Sequence, residues 1–203
     1  RHYTEIQVSG KTLQYDCRWI PGIYEQAEFL ATPARRDSVL ASKGPKQDTA
    51  TNWTLTSYQW TGLKEKIENP ECQFRVVFNE VADRISVNPS AGFPEAFPFP
   101  ETFRKTAIQF PYAMNNKEAI IIQIPSDYEI EHVPASESFR FEDNNLSFEY
   151  SIDTTTPGEI QIRMDHRIRH TFYDAVSYQD IRSYFTEVYK KRSEAIVIRR
   201  KKL

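Results

Sequence analysis

Strict alternation of apolar and polar residues recurs along most of this chain. It predicts β-strands with one dry and one wet face, because successive side chains of a strand point to opposite sides. The clearest case sets Ile160, Ile162, Met164, His166 and Ile168 on one face, with Gln161, Arg163, Asp165, Arg167 and Arg169 on the other. Leu146, Phe148, Tyr150 and Ile152 form a second. Shorter stretches at 4–8, 13–20, 53–60, 72–79, 84–88, 106–110, 118–124 and 128–132 read the same way. One-sided alternation in so many strands predicts antiparallel sheets packed face to face. The run Glu142-Asp143-Asn144-Asn145 predicts a tight hairpin turn, since asparagine tolerates left-handed backbone.

Helical spacing is confined to two segments. Thr32, Pro33 and Gly44 supply an N-cap, a first-turn proline and a terminal glycine for a short helix near 33–43. A longer helix near 178–194 starts from Ser177, with Asp180 as a relative of the capping box. Its stripe of Ile181, Tyr184, Phe185, Val188 and Tyr189 should lie on a sheet, leaving Arg182, Glu187, Lys190 and Lys191 to solvent. Residues 196–198 suggest a last strand. The predicted class is therefore mainly β, with antiparallel β-sandwich units, a short helix in the first half and a C-terminal helix packed on a sheet.

From 88 to 103 the alternation stops, and Pro89, Pro94, Pro98 and Pro100 interleave with Phe93, Phe97, Phe99 and Phe103. Frequent proline forbids a central strand, so this segment reads as a linker between a unit over 1–88 and a module over 89–203. Its phenylalanines either pin a crossing chain onto a sheet or form an exposed platform. In the second reading Phe93, Phe97, Phe99 and Tyr112 would stack on a polysaccharide or peptide.

Composition narrows the function classes. A chain of 203 residues with 13% aromatics and a net charge of −2 is neither a stapled mini-protein nor a disordered one. Basic and acidic residues balance in each half, 11 to 12 before residue 101 and 15 to 16 after it, so no broad nucleic-acid footprint is expected. The basic cluster of Lys190, Lys191, Arg192, Arg199, Arg200, Lys201 and Lys202 reads as a solvated chain end. No apolar run exceeds four residues, as at Ala119, Ile120, Ile121 and Ile122, which is far short of a membrane span. The opening Arg1-His2-Tyr3-Thr4 has neither an initiator methionine nor a signal-peptide pattern, and suggests a piece of a longer protein.

Candidate chemistry is sparse. The six glycines, at 10, 22, 44, 62, 92 and 158, are never closer than 12 positions, which excludes dinucleotide fingerprints, phosphate loops and the nucleophile elbow. His166 and His170 have a metal-like spacing only on a helix; on a strand they start roughly 13 Å apart. Cys17 and Cys72 match no zinc spacing and fall on apolar strand phases, either as buried hydrophobes or as a disulfide between neighbouring strands. Neither sits at a helix start, where a thiolate would be favoured. Carboxylate pairs such as Glu129 with Glu131 and Glu142 with Asp143 read as solvated surface. No catalytic residue, metal ligand or cofactor is assigned.

A resemblance carries the functional expectation. Its residues are Arg104 and Lys105 before Ile108-Gln109-Phe110-Pro111-Tyr112, then Ile124-Pro125-Ser126-Asp127-Tyr128-Glu129-Ile130-Glu131 and Val133-Pro134. Leu146-Ser147-Phe148-Glu149-Tyr150, the strand at 160–168, the helix at 178–189 and Glu194-Ala195-Ile196-Val197-Ile198-Arg199 follow. In this order they resemble the C-terminal module of unknown function that follows the transglutaminase-like core in Bacteroides-type bacterial envelope proteins. The resemblance implies a mostly β, non-catalytic accessory region outside the cytoplasm, either periplasmic, outer-membrane-associated or secreted. Its partner would be the catalytic domain upstream in the same chain, which holds that family's cysteine, histidine and aspartate.

Overall fold

The alternating segments do become strands. The computed structural model describes residues 1–9, 12–24, 26, 53–63, 67–79, 83–92 and 97–202; the short helix expected near 33–43 and the side chain of Phe93 lie outside them. The strands are β1 (His2–Ser9), β2 (Thr12–Trp19), β3 (Trp53–Leu63), β4 (Ile67–Asn79), β5 (Arg84–Val87), β6 (Ile108–Gln109) and β7 (Met114–Gln123). After these come β8 (Tyr128–His132), β9 (Glu137–Phe141), β10 (Leu146–Asp153), β11 (Glu159–Ile168), β12 (Phe172–Tyr173), helix α1 (Tyr178–Arg192) and β13 (Ile196–Arg200). The chain is thus mainly β, with antiparallel sheets and a C-terminal helix packed against them. The periodicity did not announce β9 and β12, one with a largely exposed side-chain set and the other two residues long.

Eight strands form one sheet in the order β3-β4-β2-β1-β7-β11-β10-β9. Every neighbouring pair is antiparallel except β1 with β7, which run parallel from His2 beside Glu118 to Gln7 beside Gln123. This sheet crosses the boundary expected at residue 88. Strands of the first half continue the sheet of the second, and β5 pairs with β13 near the far end of the chain. Hydrogen bonding therefore does not divide the molecule into the two units that the proline-rich segment suggested, because local composition carries no record of which strands meet.

Burial follows the predicted phases. Leu13, Tyr15, Cys17 and Trp19 of β2 are buried, as are Ile160, Ile162, Met164, His166 and Ile168 of β11. They share one core with Ile6, Ile120, Ile122, Leu146, Phe148 and Tyr150 of the same sheet face. Over that face lie Ile181, Tyr184, Phe185 and Val188 of α1, together with Ile85, Val87, Ile196 and Ile198 of the three-stranded sheet β5-β13-β8. The predicted hairpin turn is present: Asn145 donates its N–H to the Glu142 carbonyl at 2.8 Å, and Glu142, Asp143 and Asn144 all have positive φ.

The start of α1 departs from the capping expectation. Ser177 has helical backbone and its hydroxyl caps nothing, because a 3-10 turn over Ala175–Ser177 leads directly into the helix. The first turn is instead held by the crossing segment. Tyr178 Oη donates to the Glu101 carbonyl at 2.6 Å, Gln179 Nε2 to the Thr102 carbonyl at 2.6 Å and Arg182 Nε to the Phe99 carbonyl at 3.3 Å.

A second close approach lies at the 3-10 turn Pro89–Gly92, which sits on β2. A Cβ added at Gly92 would stand 2.5 Å from Cys17 Sγ, so glycine is required there for space. Gly92→Ala should lower stability in urea unfolding by about 1–3 kcal/mol, the usual cost of overpacking. In a Cys17→Ala background the same substitution should cost much less, since the sulfur it strikes has gone.

Candidate functional site

The aromatic residues singled out by sequence separate in the fold. Phe99 is 4% exposed and makes edge-to-face contacts with Phe97, Phe110, Tyr178 and Phe185 at centroid distances of 5.0–6.3 Å. It has no free face for a ligand. Phe97 is half-buried against Tyr189, 5.4 Å between centroids, with the Arg182 guanidinium 6.0 Å above its ring. Tyr112 is half-buried and stacks on Tyr24 at 4.7 Å. The physical cause is the helix stripe: α1 presents Ile181, Phe185 and Val188 to the core, and the crossing segment closes its open side with rings. Among the described rings of this segment, Phe103 is the one that stays in solvent, at 63% exposure.

The charged groups at the end of α1 also differ from expectation. The sequence pattern predicts Lys191 and Arg192 in solvent, yet their side chains are 4% and 6% exposed. Arg192 Nη1 lies 2.7 Å from Oε1 of Glu118, itself buried on β7. The same oxygen is 4.0 Å from His2 Nδ1. Lys191 Nζ contacts Glu194 at 2.8 Å and Glu137 at 3.2 Å, and sits 5.2 Å from the Tyr150 ring centroid. The cause is position. The last helical turn carries the negative end of the dipole, and the sheet beneath supplies Glu118 and Glu137, so both cations are compensated where they are buried. A solvated-tail reading misses this because the composition of the run, not its place over a sheet, was its only signal.

His166 belongs to the same neighbourhood. It packs between Phe148, Tyr184 and Phe185 at centroid distances of 5.5–6.1 Å, with Nε2 buried and without a hydrogen-bond partner among the described residues. Burial, reinforced by the Arg192 charge, lowers its pKa to about 4. His170 lies beyond the end of β11 and is exposed, so the two histidines do not converge. Burial likewise raises Cys17 to about 12, against a weak hydrogen bond from Thr4 Oγ1 at 3.9 Å. Cys17 and Cys72 are both buried and unbridged, on adjacent strands β2 and β4. Among the described residues no group of three histidine, cysteine or carboxylate side chains could hold a metal. No helix among them is long and apolar enough to cross a membrane.

Comparison with known proteins places the second half of the chain. The family model described as a domain of unknown function with solved structure, DUF3858, matches residues 83–198, more than half of the sequence. The chain belongs to the DUF3858 family. No curated protein and no solved structure matches it. The DUF3858 match starts at the foot of β5 and ends inside β13, two strands that pair with each other. It therefore includes β5, β8 and most of the central strand β13 of the small sheet, helix α1, and β7 and β9–β11 of the large sheet.

Two measurements test this account of the buried groups. Phe99→Ala should cost about 3–5 kcal/mol in denaturant unfolding, as for a ring in a closed core. For His166, the unfolded imidazole takes a proton near 6.5 and the folded one only near 4. Between those values the unfolded chain holds more protons, so stability falls as pH drops through this window and levels off below it, by about 3 kcal/mol at most. Urea midpoints at pH 7 and pH 4.5 should therefore diverge less for His166→Phe than for the native sequence.

Proposed function

We propose that this chain is a non-catalytic accessory region of a larger extracytoplasmic bacterial protein, in which it supports or positions a transglutaminase-like domain encoded upstream. The resemblance that motivates the reading runs over residues 104–199, nearly the span of the DUF3858 match. The observation that carries it is the placement of the reactive side chains. Cys17, Cys72 and His166 all point into the core, where burial disfavours the thiolate at Cys17 and the imidazolium at His166. A thiol enzyme needs a thiolate within reach of solvent and of a base, and neither condition is met by these groups. One sheet running through both halves suits a structural role, since a rigid body transmits position.

The test uses iodoacetamide and an amide substrate with the folded chain. The expected result is no alkylation of either cysteine until denaturant is added, and no release or crosslinking of amide. Rapid alkylation of the native chain, or turnover abolished by Cys17→Ala or Cys72→Ala, would overturn the accessory reading.

A further inference from the structure

A cleft of about 500 Å³ opens on the large sheet, lined by His2 and Glu118 from the buried charge cluster and by outer-face side chains of β1, β7, β10 and β11. Its floor is Ala119. Cross-strand register places Tyr3 of β1 on one side of Ala119 and Arg163 of β11 on the other, with Ser151 of β10 next in the same row. Two strand spacings separate the Tyr3 and Arg163 backbones, roughly 10 Å. A ring lying over the alanine methyl at contact distance from both walls needs about 4 Å on each side, which this slot supplies. Tyr3 is 39% exposed, and the Arg18 guanidinium lies 5.7 Å from its ring centroid from the β2 side, opposite the cleft.

The cleft is lined by three basic side chains, Arg1, Lys117 and Arg163, and by three acidic ones, Glu118, Glu149 and Asp165. In the adjoining row Lys117 is compensated by Asp165 at 3.5 Å, and Asp165 also holds Arg167 at 2.7 Å. Glu149 has Arg140 at 4.0 Å. Arg163 lines the cleft and makes no ion pair among the described residues, though Asp153 of β10 feels its charge, and Ser151 beside it makes no side-chain hydrogen bond among them. An open guanidinium fork fits a carboxylate, a neighbouring hydroxyl and carboxylate fit ring hydroxyls, and an exposed tyrosine face fits a ring of C–H bonds.

We propose that this cleft binds an acidic saccharide, with the pyranose ring over Ala119 against Tyr3 and its carboxylate on Arg163. This site is separate from the aromatic segment at 97–112, and it holds whether or not an enzyme is attached. Isothermal titration of the chain with galacturonate oligomers, beside neutral oligosaccharides of the same length, tests it. The acidic oligomer should bind roughly tenfold or more tightly than the neutral one, the scale of one charged hydrogen-bonded contact. Arg163→Gln should abolish that preference. Ala119→Leu, which fills the floor from a solvent-side position, should weaken binding roughly tenfold or more with the melting temperature unchanged. Absence of binding by the native chain at millimolar saccharide would overturn the proposal. So would acidic binding unaffected by Arg163→Gln, or capture of a glutamate-rich peptide in preference to both sugars.

Discussion

The parallel pairing of β1 with β7 is the constraint on which the rest of this structure rests. The two strands are more than a hundred residues apart in sequence, and their backbone hydrogen bonds join the sheet's two halves edge to edge. Side chains alternate across a sheet with a period of two, so a slip of one residue at this seam would turn every buried position on one half outward. In the native register Ile6 lies beside Ile122 in the core, and His2 lies beside Glu118. On the other face the same register sets Tyr3 beside Ala119 and opens the cleft. The core, the buried charges and the outer-face slot are therefore consequences of one alignment.

The helix then closes the inner face at a cost that the fold offsets locally. Burying two cations in the last turn of α1 is unfavourable unless each meets an anion, and breaking such a pair is more damaging than never forming it. Glu118 comes from the centre of the sheet, Glu137 from its edge and Glu194 from just past the helix. These contacts specify where the helix end must lie along β7 and β9, which an apolar stripe alone leaves free to slide. Ser90 adds a tie from the opposite layer, its hydroxyl donating to the Arg192 carbonyl at 3.1 Å. Membership of DUF3858 thus corresponds to a layer in which strand β5, helix α1 and strand β13 are locked onto a sheet that also includes the first half of the chain.

The segment at 97–106 shows how prolines and aromatic residues share labour. Without regular hydrogen bonding of its own, this segment spends its carbonyls on Tyr178, Gln179 and Arg182 of the helix and its Phe99 ring on the core. That answers the accounting of backbone polar groups that any irregular chain crossing a core must satisfy. It also explains why Ser177 leaves its capping role unused.

What this sequence determined by itself was local: which side chains of β2, β10 and β11 face inward, the turn at 142–145, the existence of α1 and its apolar stripe, and the strand that follows it. Each of these is written in a period of two or of 3.6, or in turn residues a few positions apart. Only the tertiary structure decided that β1 would lie beside β7, that the expected boundary at 88 would be bridged by a single sheet, and that Phe99 would face the core. It also decided that Lys191 and Arg192 would be buried and that Tyr3 and Arg163 would flank one alanine. Those outcomes depend on pairing between residues 44 to 116 positions apart, and no single-chain periodicity encodes the partner. A charge run looks solvated until a carboxylate from another strand is placed beneath it. The aromatic positions looked equivalent until one packed helix distinguished inside from outside.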